Sequence, residues 1–253
     1  MVKLDPAFLK KPIAHRALHD ATRGIYENSR SAILAAIQHD YAIEIDLQLS
    51  FDGQAMVFHD DTLDRLTSKT GNVSAYTATA LGQITIGTSA DVIETLEEIL
   101  TLIDGRVPVL IELKDQSGTL SKTDGRLERA TAEALSRYNG PVALMSFNPF
   151  MIETMATLTS DLPLGLTTGS FLDPAWGIDD ARIKHLSEIR DFDGSRYSFV
   201  SHFAMELTSP RINDLKSKGA AIFTWTIRSS EAESVARQVV DNVTFEGYLA
   251  QHP

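Results

Sequence analysis

Two pairs of charged residues, each spaced two apart, are the first sign of chemistry in this chain. Glu44 and Asp46 stand in the run "AIEID", and Glu112 and Lys114 stand in the run "LIELK". Both runs are rich in aliphatic residues and are typical of β-strands. Because side chains two residues apart share one face of a strand, each pair is expected to point in the same direction.

The carboxylates of these pairs predict a metal site. Three clustered carboxylates with no cation would repel one another and raise one another's pKa values. The chain contains no cysteine, so thiolate ligands and disulfides are excluded. Oxygen ligands suit a hard cation better than zinc. Glu44, Asp46 and Glu112 are therefore predicted to bind one divalent cation, either Ca²⁺ or Mg²⁺.

The elements that must position these residues alternate between strands and helices. About eight strand–helix units occur in 253 residues, with no linker-like stretch between them. This pattern predicts a parallel sheet closed into a TIM (β/α)₈ barrel, a single domain over residues 1–253. A turn at Asp52-Gly53 predicts a small hairpin and loop insertion after the second strand. An open, doubly wound sheet is the alternative.

Local signals predict several element ends. Thr95 with Glu98, and Ser230 with Glu233, have the spacing of capping boxes. Asn28 or Ser29 is expected to cap the first long helix. Residues 67–92 are predicted to form a loop, and "TFEGYLA" is predicted to be the last strand.

The predicted barrel turns these positions into a candidate site, because catalytic residues of such barrels lie at the C-terminal ends of the strands. The strand runs carry most of their titratable residues near these ends. The candidates are His15, Arg16, Glu44, Asp46, His59, Glu112 and Lys114, with Trp225 near the end of a later strand.

The overall charge narrows the class of partner. The net charge is −11 and the isoelectric point is about 5.0, so nucleic acid is not an expected partner. The sequence has no apolar run of the length that a membrane span needs, and its start does not resemble a signal peptide. The prediction is a cytoplasmic protein without stable membrane insertion that acts on a small molecule. A homo-oligomer is left open.

Taken in order, the short motifs resemble those of the glycerophosphodiester phosphodiesterase family. The resemblance rests on "AHRA", "YENS", "AIEIDLQLSFDGQAMVFHDDTLDRLT", "TLEEIL", "LIELK" and "FTWTI", and it is densest from Ile13 to Asn72. It implies a TIM barrel that hydrolyses glycerophosphodiesters to glycerol 3-phosphate and an alcohol.

The resemblance also implies a role for each matching residue. His15 and His59 match a catalytic histidine pair, and Arg16 and Lys114 match residues that contact the phosphate or lie near it. Trp225 matches an aromatic residue near the substrate. The three carboxylates match the metal ligands, and Glu27 with Asn28 matches a motif that supports the first loop.

The chain departs from the family pattern at its two ends. Ala17 stands where the family has the glycine of His-Arg-Gly, and the segment "ALHDATRGIYENS" replaces the common Pro-Glu-Asn-Thr sequence. Ala250 and Gln251 stand where a Thr-Asp pair is expected. These departures bear on the alcohol specificity and on the glycerol pocket.

The implied mechanism uses one histidine as base and the other as acid, because the pKa of histidine lies near neutrality. The sequence does not assign the two roles, and attack by water or by the glycerol 2-hydroxyl is equally consistent with it. Two alternatives remain. One is a related barrel phospholipase similar to sphingomyelinase D, and the other is a non-catalytic barrel that binds a phosphorylated ligand.

Overall fold

The computed structural model describes residues 2–253 as a closed barrel. The strands in chain order are β1 Ile13–Ala14, β2 Ala42–Leu49, β3 Ala55–Val57, β4 Val109–Leu113, β5 Val142–Ser146, β6 Leu164–Thr168, β7 Phe199–Phe203, β8 Ala221–Ile227 and β9 Asn242–Phe245. All except β3 run parallel, and β1 pairs with both β2 and β9. The pairing of β1 on both sides closes the barrel, so the predicted fold is confirmed and the open sheet is excluded.

The predicted hairpin after the second strand is also present. β3 runs antiparallel to β2, with Leu47 opposite Val57 and Leu49 opposite Ala55. Gly53 forms the turn with a φ of 84°, a backbone conformation that glycine adopts without strain. The hairpin therefore rises from the end of β2 and returns the chain toward the barrel.

Helices follow most of the barrel strands and cover the outside of the barrel. They are α1 Ala7–Lys10, α2 Arg30–Gln38, α3 Ala78–Leu81, α4 Leu96–Ile103, α5 Arg126–Leu135, α6 Pro149–Leu158, α7 Asp180–Ser187, α8 Pro210–Ser217 and α9 Ser230–Ala236. Over residues 2–253, no helix combines the length and the apolar character needed to cross a membrane.

Residues 67–92 are not the simple loop predicted from their composition. They contain a short 3-10 helix, Val73–Ala75, and the helix α3. Apolar side chains of this insertion pack with the hairpin into a small core of their own, formed by Met56, Phe58, Leu63, Val73, Leu81, Ile84, Ile86 and Ile93. This core holds the insertion in place above the barrel.

Two helices are capped by residues that were predicted as caps, and a third is not. Thr95 and Glu98 form the predicted capping box, and Ser29 caps α2 by accepting a hydrogen bond from the amide of Ala32. The capping box predicted at Ser230 is wrong. Ser229, one residue earlier, caps α9, because it has the extended backbone that an N-cap requires and Ser230 is already helical.

The last strand was also predicted too late in the chain. It ends at Phe245 and does not extend to Ala250. Gly247 follows with a φ of 79°, which turns the chain away from the barrel. Glu246 therefore lies directly at the C-terminal end of β9 and not in the middle of a strand.

The two faces of the barrel strands pack against different partners. One face packs against the helices in a large apolar core that includes Ile43, Ile111 and Val200. The residues between them point into the barrel, where side chains from six strands pack on Phe8 of α1: Ile13, Ala42, Leu110, Ala143, Met145, Phe199 and Phe223. Glu44, Asp46 and Glu112 follow this interior face toward the C-terminal ends of the strands.

Candidate active site

The interior face of β2 carries the first two carboxylates of the site. Glu44 and Asp46 are 1% and 2% exposed, and strand pairing places Asp46 opposite Glu112 of β4. Each of the three residues offers a carboxylate oxygen, and these three oxygens all lie within 4.8 Å of one another. The structure therefore brings together the three residues that were predicted to be ligands.

The pKa values of Glu44 and Asp46 are shifted in opposite directions. Burial and the neighbouring charges of Asp46 and Glu112 raise the pKa of Glu44 well above its usual value. Burial acts on Asp46 in the same direction, but Lys114, His59 and Arg16 outweigh it and lower the pKa of Asp46. One carboxyl of the cluster thus resists ionisation, and a bound cation would relieve that cost.

The two predicted phosphate-binding cations already contact this cluster. The Lys114 ammonium donates to Glu112 at 2.7 Å and lies 3.4 Å from Asp46. The Arg16 guanidinium donates to Glu27 at 2.7 Å and has its Nε 3.6 Å from Asp46. Both cations are therefore held beside the candidate metal position.

The loop after β1 is shaped by backbone contacts to Glu44. The Arg16 amide donates to the Glu44 carboxylate at 2.7 Å, and the Ala17 amide donates to the Glu44 carbonyl oxygen at 2.9 Å. Arg16 and Ala17 have φ values of 50° and 64°, in the left-handed region that favours glycine. This conformation explains why a glycine suits the third position of the His-Arg-Gly motif, and Ala17 adopts it without that freedom.

Asn28 supports Asp46 rather than capping a helix. Its amide nitrogen donates to the Asp46 carboxylate at 2.9 Å, and its amide oxygen accepts a hydrogen bond from the Asp46 backbone. The backbone amide of Asn28 donates a hydrogen bond to the carbonyl oxygen of Arg16. The Glu-Asn motif thus ties the loop of Arg16 to the end of β2.

His15 directly follows β1 and is held by a carboxylate that sequence reasoning missed. Its Nδ1 lies 2.5 Å from the Glu246 carboxylate. Burial lowers the pKa of His15, while the hydrogen bond to Glu246 acts in the opposite direction. A correct end for β9 would have revealed Glu246, because the C-terminal end of each barrel strand faces the site.

His59 reaches the site from the hairpin. The Phe58 amide donates to the Asp46 carbonyl oxygen, and the Gln48 side chain donates to the His59 carbonyl oxygen at 3.1 Å. The His59 Nδ1 lies 2.7 Å from the carboxylate of Asp60. An antiparallel return strand therefore brings His59 beside Asp46, although His59 does not end a barrel strand.

Ion pairs made by Arg65 support this side of the site. Arg65 donates to Asp60 at 2.6 Å and to Glu27 at 2.9 Å. Because Asp60 holds His59 and Glu27 holds Arg16, this one arginine links the supports of two candidate functional residues.

All of the candidates line one cavity of about 160 Å³ at the C-terminal mouth of the barrel. Its wall contains every residue predicted for the site, namely His15, Arg16, Glu44, Asp46, His59, Glu112, Lys114 and Trp225. Met145, Phe147, Thr226, Arg228 and Thr244 complete the lining. Phe147 and Trp225 make an edge-to-face contact with ring centroids 5.3 Å apart.

The chain end does not take part in this cavity, which corrects the expectation that its departures affect the glycerol pocket. The Ala250 carbonyl oxygen accepts a hydrogen bond from Tyr41, which precedes β2 at the opposite end of the barrel. Gln251 is exposed. The carboxylate that follows the last strand is Glu246, so Ala250 and Gln251 do not occupy the position of a missing site residue.

A parallel eight-stranded barrel with paired histidines, cations and a carboxylate cluster at its C-terminal mouth defines a (β/α)₈-barrel protein with a hydrolase-like site. Comparison with known proteins narrows the class further. The profile of the glycerophosphoryl diester phosphodiesterase family matches residues 15–245, and the chain belongs to this family.

Individual relatives agree with this assignment. A glycerophosphodiester phosphodiesterase of Caldanaerobacter subterraneus is 27% identical over 241 residues, which is 91% of each chain. A solved phosphodiesterase of Oleispira antarctica, in complex with the product sn-glycerol-3-phosphate, is 25% identical with a TM-score of 0.75, covering 95% of this chain and 94% of its own. A glycerophosphodiester phosphodiesterase of Thermotoga maritima, 20% identical with a TM-score of 0.69 over 93% of this chain and 94% of its own, shares the fold.

Proposed function

We propose that this chain hydrolyses glycerophosphodiesters to glycerol 3-phosphate and an alcohol, with one divalent cation in the mouth of the barrel. The observation that carries the proposal is the single cavity lined by two histidines, three cationic side chains and three carboxylates in a chain of this family. The product bound to the Oleispira antarctica relative supports the same substrate class.

Glu44, Asp46 and Glu112 are the residues that would hold the cation. Their oxygen-only donor set fits Ca²⁺ or Mg²⁺, and one carboxylate oxygen of each lies within 4.8 Å of the others. When bound, the cation supplies positive charge that polarises a phosphoryl oxygen and stabilises the charge developed during cleavage.

Arg16 and Lys114 bind the phosphodiester from the side of β1 and β4. Their positive charges stabilise the oxygens of the phosphate as negative charge grows on them. Because Lys114 also contacts Glu112 and Asp46, it orients the carboxylates and the phosphate relative to each other. Trp225 and Phe147 provide an apolar wall for the carbon atoms of the substrate.

His15 and His59 act as the acid–base pair. Each has its Nδ1 beside a carboxylate, Glu246 for His15 and Asp60 for His59, which leaves each Nε2 available to the substrate. One histidine removes a proton from the nucleophile, and the other donates a proton to the oxygen of the leaving alcohol. Water and the glycerol 2-hydroxyl remain the two candidate nucleophiles.

The direct test measures glycerol 3-phosphate released from glycerophosphocholine. We expect EDTA dialysis to abolish turnover and Ca²⁺ or Mg²⁺ to restore it. His15→Ala and His59→Ala should each lower kcat by about 10²- to 10⁴-fold, the range for one positioned proton-transfer group. His252→Ala, at the exposed chain end, is the matched control and should leave kcat unchanged.

Four results would each contradict a different part of the proposal. Full turnover in a verified metal-free preparation removes the cation. Near-wild-type kcat in a folded histidine variant removes that histidine from the pair. No turnover with any divalent cation favours a ligand-binding barrel, and preferential cleavage of choline phospholipids favours the phospholipase alternative.

A further inference from the structure

A third histidine stands beside the candidate active site and has no role in the chemistry described above. His19 lies four residues after His15, in the segment "ALHDATRGIYENS" that departs from the family pattern. The His19 Nε2 lies 3.7 Å from Oε2 of Glu246, the same carboxylate oxygen that lies 2.5 Å from Nδ1 of His15. Two imidazole rings therefore converge on one carboxylate oxygen.

The His19 ring is held in place but is incompletely bonded. Among residues 2–253 its Nε2 is buried without a hydrogen-bond partner, and 3.7 Å is too long for a hydrogen bond to Glu246. The loop is fixed, because the His19 amide donates to the Ala17 carbonyl oxygen and Asp20 pairs with Ile25 in a short antiparallel bridge. Buried polar atoms nearly always have a partner, so this nitrogen calls for a group that would lie between it and the carboxylate.

His15, His19 and Glu246 together have the spacing of a metal site. Each offers one ligand atom, and these three atoms all lie within 4.8 Å of one another. Glu246 has an oxygen to spare, because the Arg228 Nε donates at 2.8 Å to Oε1 and leaves Oε2 to the histidines. The three side chains are 14% to 21% exposed, so a cation can reach them from solvent.

The ligand atoms of this group differ in kind from those of the carboxylate cluster. Two imidazole nitrogens and one carboxylate oxygen suit Zn²⁺, which binds such sets with an open fourth position, whereas Ca²⁺ and Mg²⁺ prefer oxygen ligands. The mouth of the barrel thus offers two sites of different chemistry. The hard cation fits the carboxylates of β2 and β4, and a transition metal fits the residues that follow β1 and β9.

We propose that His15, His19 and Glu246 form a Zn²⁺ site that inhibits the enzyme. The site itself is independent of the proposed function, and its inhibitory effect rests on that function through the role of His15. Zn²⁺ takes the place of the proton between Nδ1 and Glu246, and the neutral ring then carries its remaining proton on Nε2. Such a ring cannot accept a second proton, so His15 can act neither as a base nor as an imidazolium acid.

Nearby positive charges make this site reversible. Arg228 is bonded to Glu246, and Arg16 directly follows His15 in the chain. Both guanidinium groups repel a bound cation. Zn²⁺ is therefore held less tightly than in a structural zinc site, and a chelator selective for Zn²⁺ should restore turnover.

The first test measures metal binding without turnover, on protein already loaded with Ca²⁺ or Mg²⁺. Calorimetric titration with Zn²⁺ gives the affinity, and the visible absorption of Co²⁺, used as a probe, reports ligation by nitrogen. His19→Ala should weaken Zn²⁺ binding by about 10- to 100-fold or more, since even the loss of a residue that only supports a ligand costs that much. His252→Ala, at the exposed chain end, is the matched control and should bind Zn²⁺ like the wild type.

The second test measures turnover of glycerophosphocholine at increasing Zn²⁺. We expect inhibition of the wild type and of His252→Ala over the concentrations at which calorimetry shows binding. His19→Ala should need about 10- to 100-fold more Zn²⁺ for the same inhibition. Excess Ca²⁺ or Mg²⁺ should not relieve the inhibition, because these cations occupy the carboxylate cluster.

Equal Zn²⁺ affinity in the wild type and in His19→Ala overturns the site, and inhibition relieved by excess Ca²⁺ or Mg²⁺ assigns Zn²⁺ to the carboxylate cluster instead. Zn²⁺ binding that depends on His19 without loss of turnover overturns the inhibition. Thermal unfolding confirms that each variant is folded, and His19→Gln repeats the tests if His19→Ala does not fold. Wild-type protein that fails to cleave glycerophosphocholine with any divalent cation overturns the proposed function, while calorimetry still tests the site.

Discussion

At the scale of single residues, Glu44 is a carboxyl whose ionised form is disfavoured in the folded protein. Its carboxyl is buried beside two others, and burial together with the charges of Asp46 and Glu112 raises its pKa. A group whose folded pKa is raised favours the folded state at low pH, and this advantage disappears as the pH rises through the folded value. An ionised Glu44 in this cluster therefore costs stability as the pH rises.

Glu44→Gln should separate the metal from the fold. The amide keeps the shape and removes one repelling charge, so the metal-free variant should unfold at the same temperature as the wild type or higher. A cation at about 100 times its Kd stabilises the wild type by about 2.7 kcal/mol. For a chain of this size that is a rise in Tm of about 5–10 °C, and the variant should lose most of it.

Calorimetric titration and thermal scans with and without Ca²⁺ or Mg²⁺ measure both effects. Glu97→Gln, an exposed substitution on α4, is the control and should change neither. A large fall in metal-free stability with unchanged metal affinity would mean that Glu44 is structural.

Glu246 is the second residue whose role is specific enough to test. Its hydrogen bond raises the pKa of His15 against the effect of burial. In Glu246→Gln the pKa of His15 should fall further, and kcat should fall by about 10- to 100-fold, as when an orienting partner is lost. The limb of the pH–rate profile that belongs to His15 should move to lower pH.

The limb that moves also assigns the role of His15. If the acidic limb moves, His15 is the base, and if the alkaline limb moves, His15 is the acid. Titration of the ring by NMR provides the pKa directly, and Glu231→Gln, an exposed change on α9, is the control. An unmoved His15 pKa would show that Glu246 does not position this histidine.

At the scale of elements, the hairpin and the helix caps explain how loops present the site. β3 runs against the barrel direction, and for that reason it returns His59 to the level of Asp46. The small core of the insertion restrains the chain that follows. A candidate catalytic side chain, that of His59, is thus supplied by an element outside the ring of parallel barrel strands.

The cap of α9 gives a prediction with a built-in control. Ser229 accepts a hydrogen bond from the Ala232 amide, whereas Ser230 is the first residue of the helix. Ser229→Ala should lower the free energy of unfolding by about 1 kcal/mol. This corresponds to about 2–4 °C in Tm for a chain of this length.

Ser230→Ala should have almost no effect, because it removes no cap. Thermal unfolding of the two variants side by side is the measurement. A larger loss in Ser230→Ala than in Ser229→Ala would restore the capping box expected from the sequence.

At the scale of the whole molecule, barrel closure joins the two ends of the chain. β1 has two residues, and it pairs with β2 on one side and with β9 on the other. Most of the apolar core is one continuous cluster that includes residues of α2, α4, α5, α6, α8 and α9. We therefore expect residues 1–253 to behave as one domain.

This expectation is tested by unfolding the protein with urea and following two signals. Far-ultraviolet circular dichroism reports on all helices, and tryptophan fluorescence reports on Trp225 in the site and on Trp176. The two transitions should coincide, as they do for a single cooperative unit. Clearly separated midpoints would divide the chain into units that unfold independently.

The sequence by itself determined the barrel, the hairpin and the pairs at Glu44 and Glu112, because strand periodicity and the alternation of strands and helices are local patterns. The same patterns placed His15, Arg16, His59 and Lys114 among the residues at the mouth of the barrel, and the structure brings all of them to one cavity.

The tertiary structure decided what the local patterns could not. Ser229 and Ser230 are chemically identical, so only the backbone conformation selects the cap. Glu246 becomes visible as the partner of His15 only when β9 closes against β1, because the two residues are 231 positions apart in the sequence. Contacts between distant segments depend on closure of the whole barrel, and no spacing within the sequence encodes their geometry.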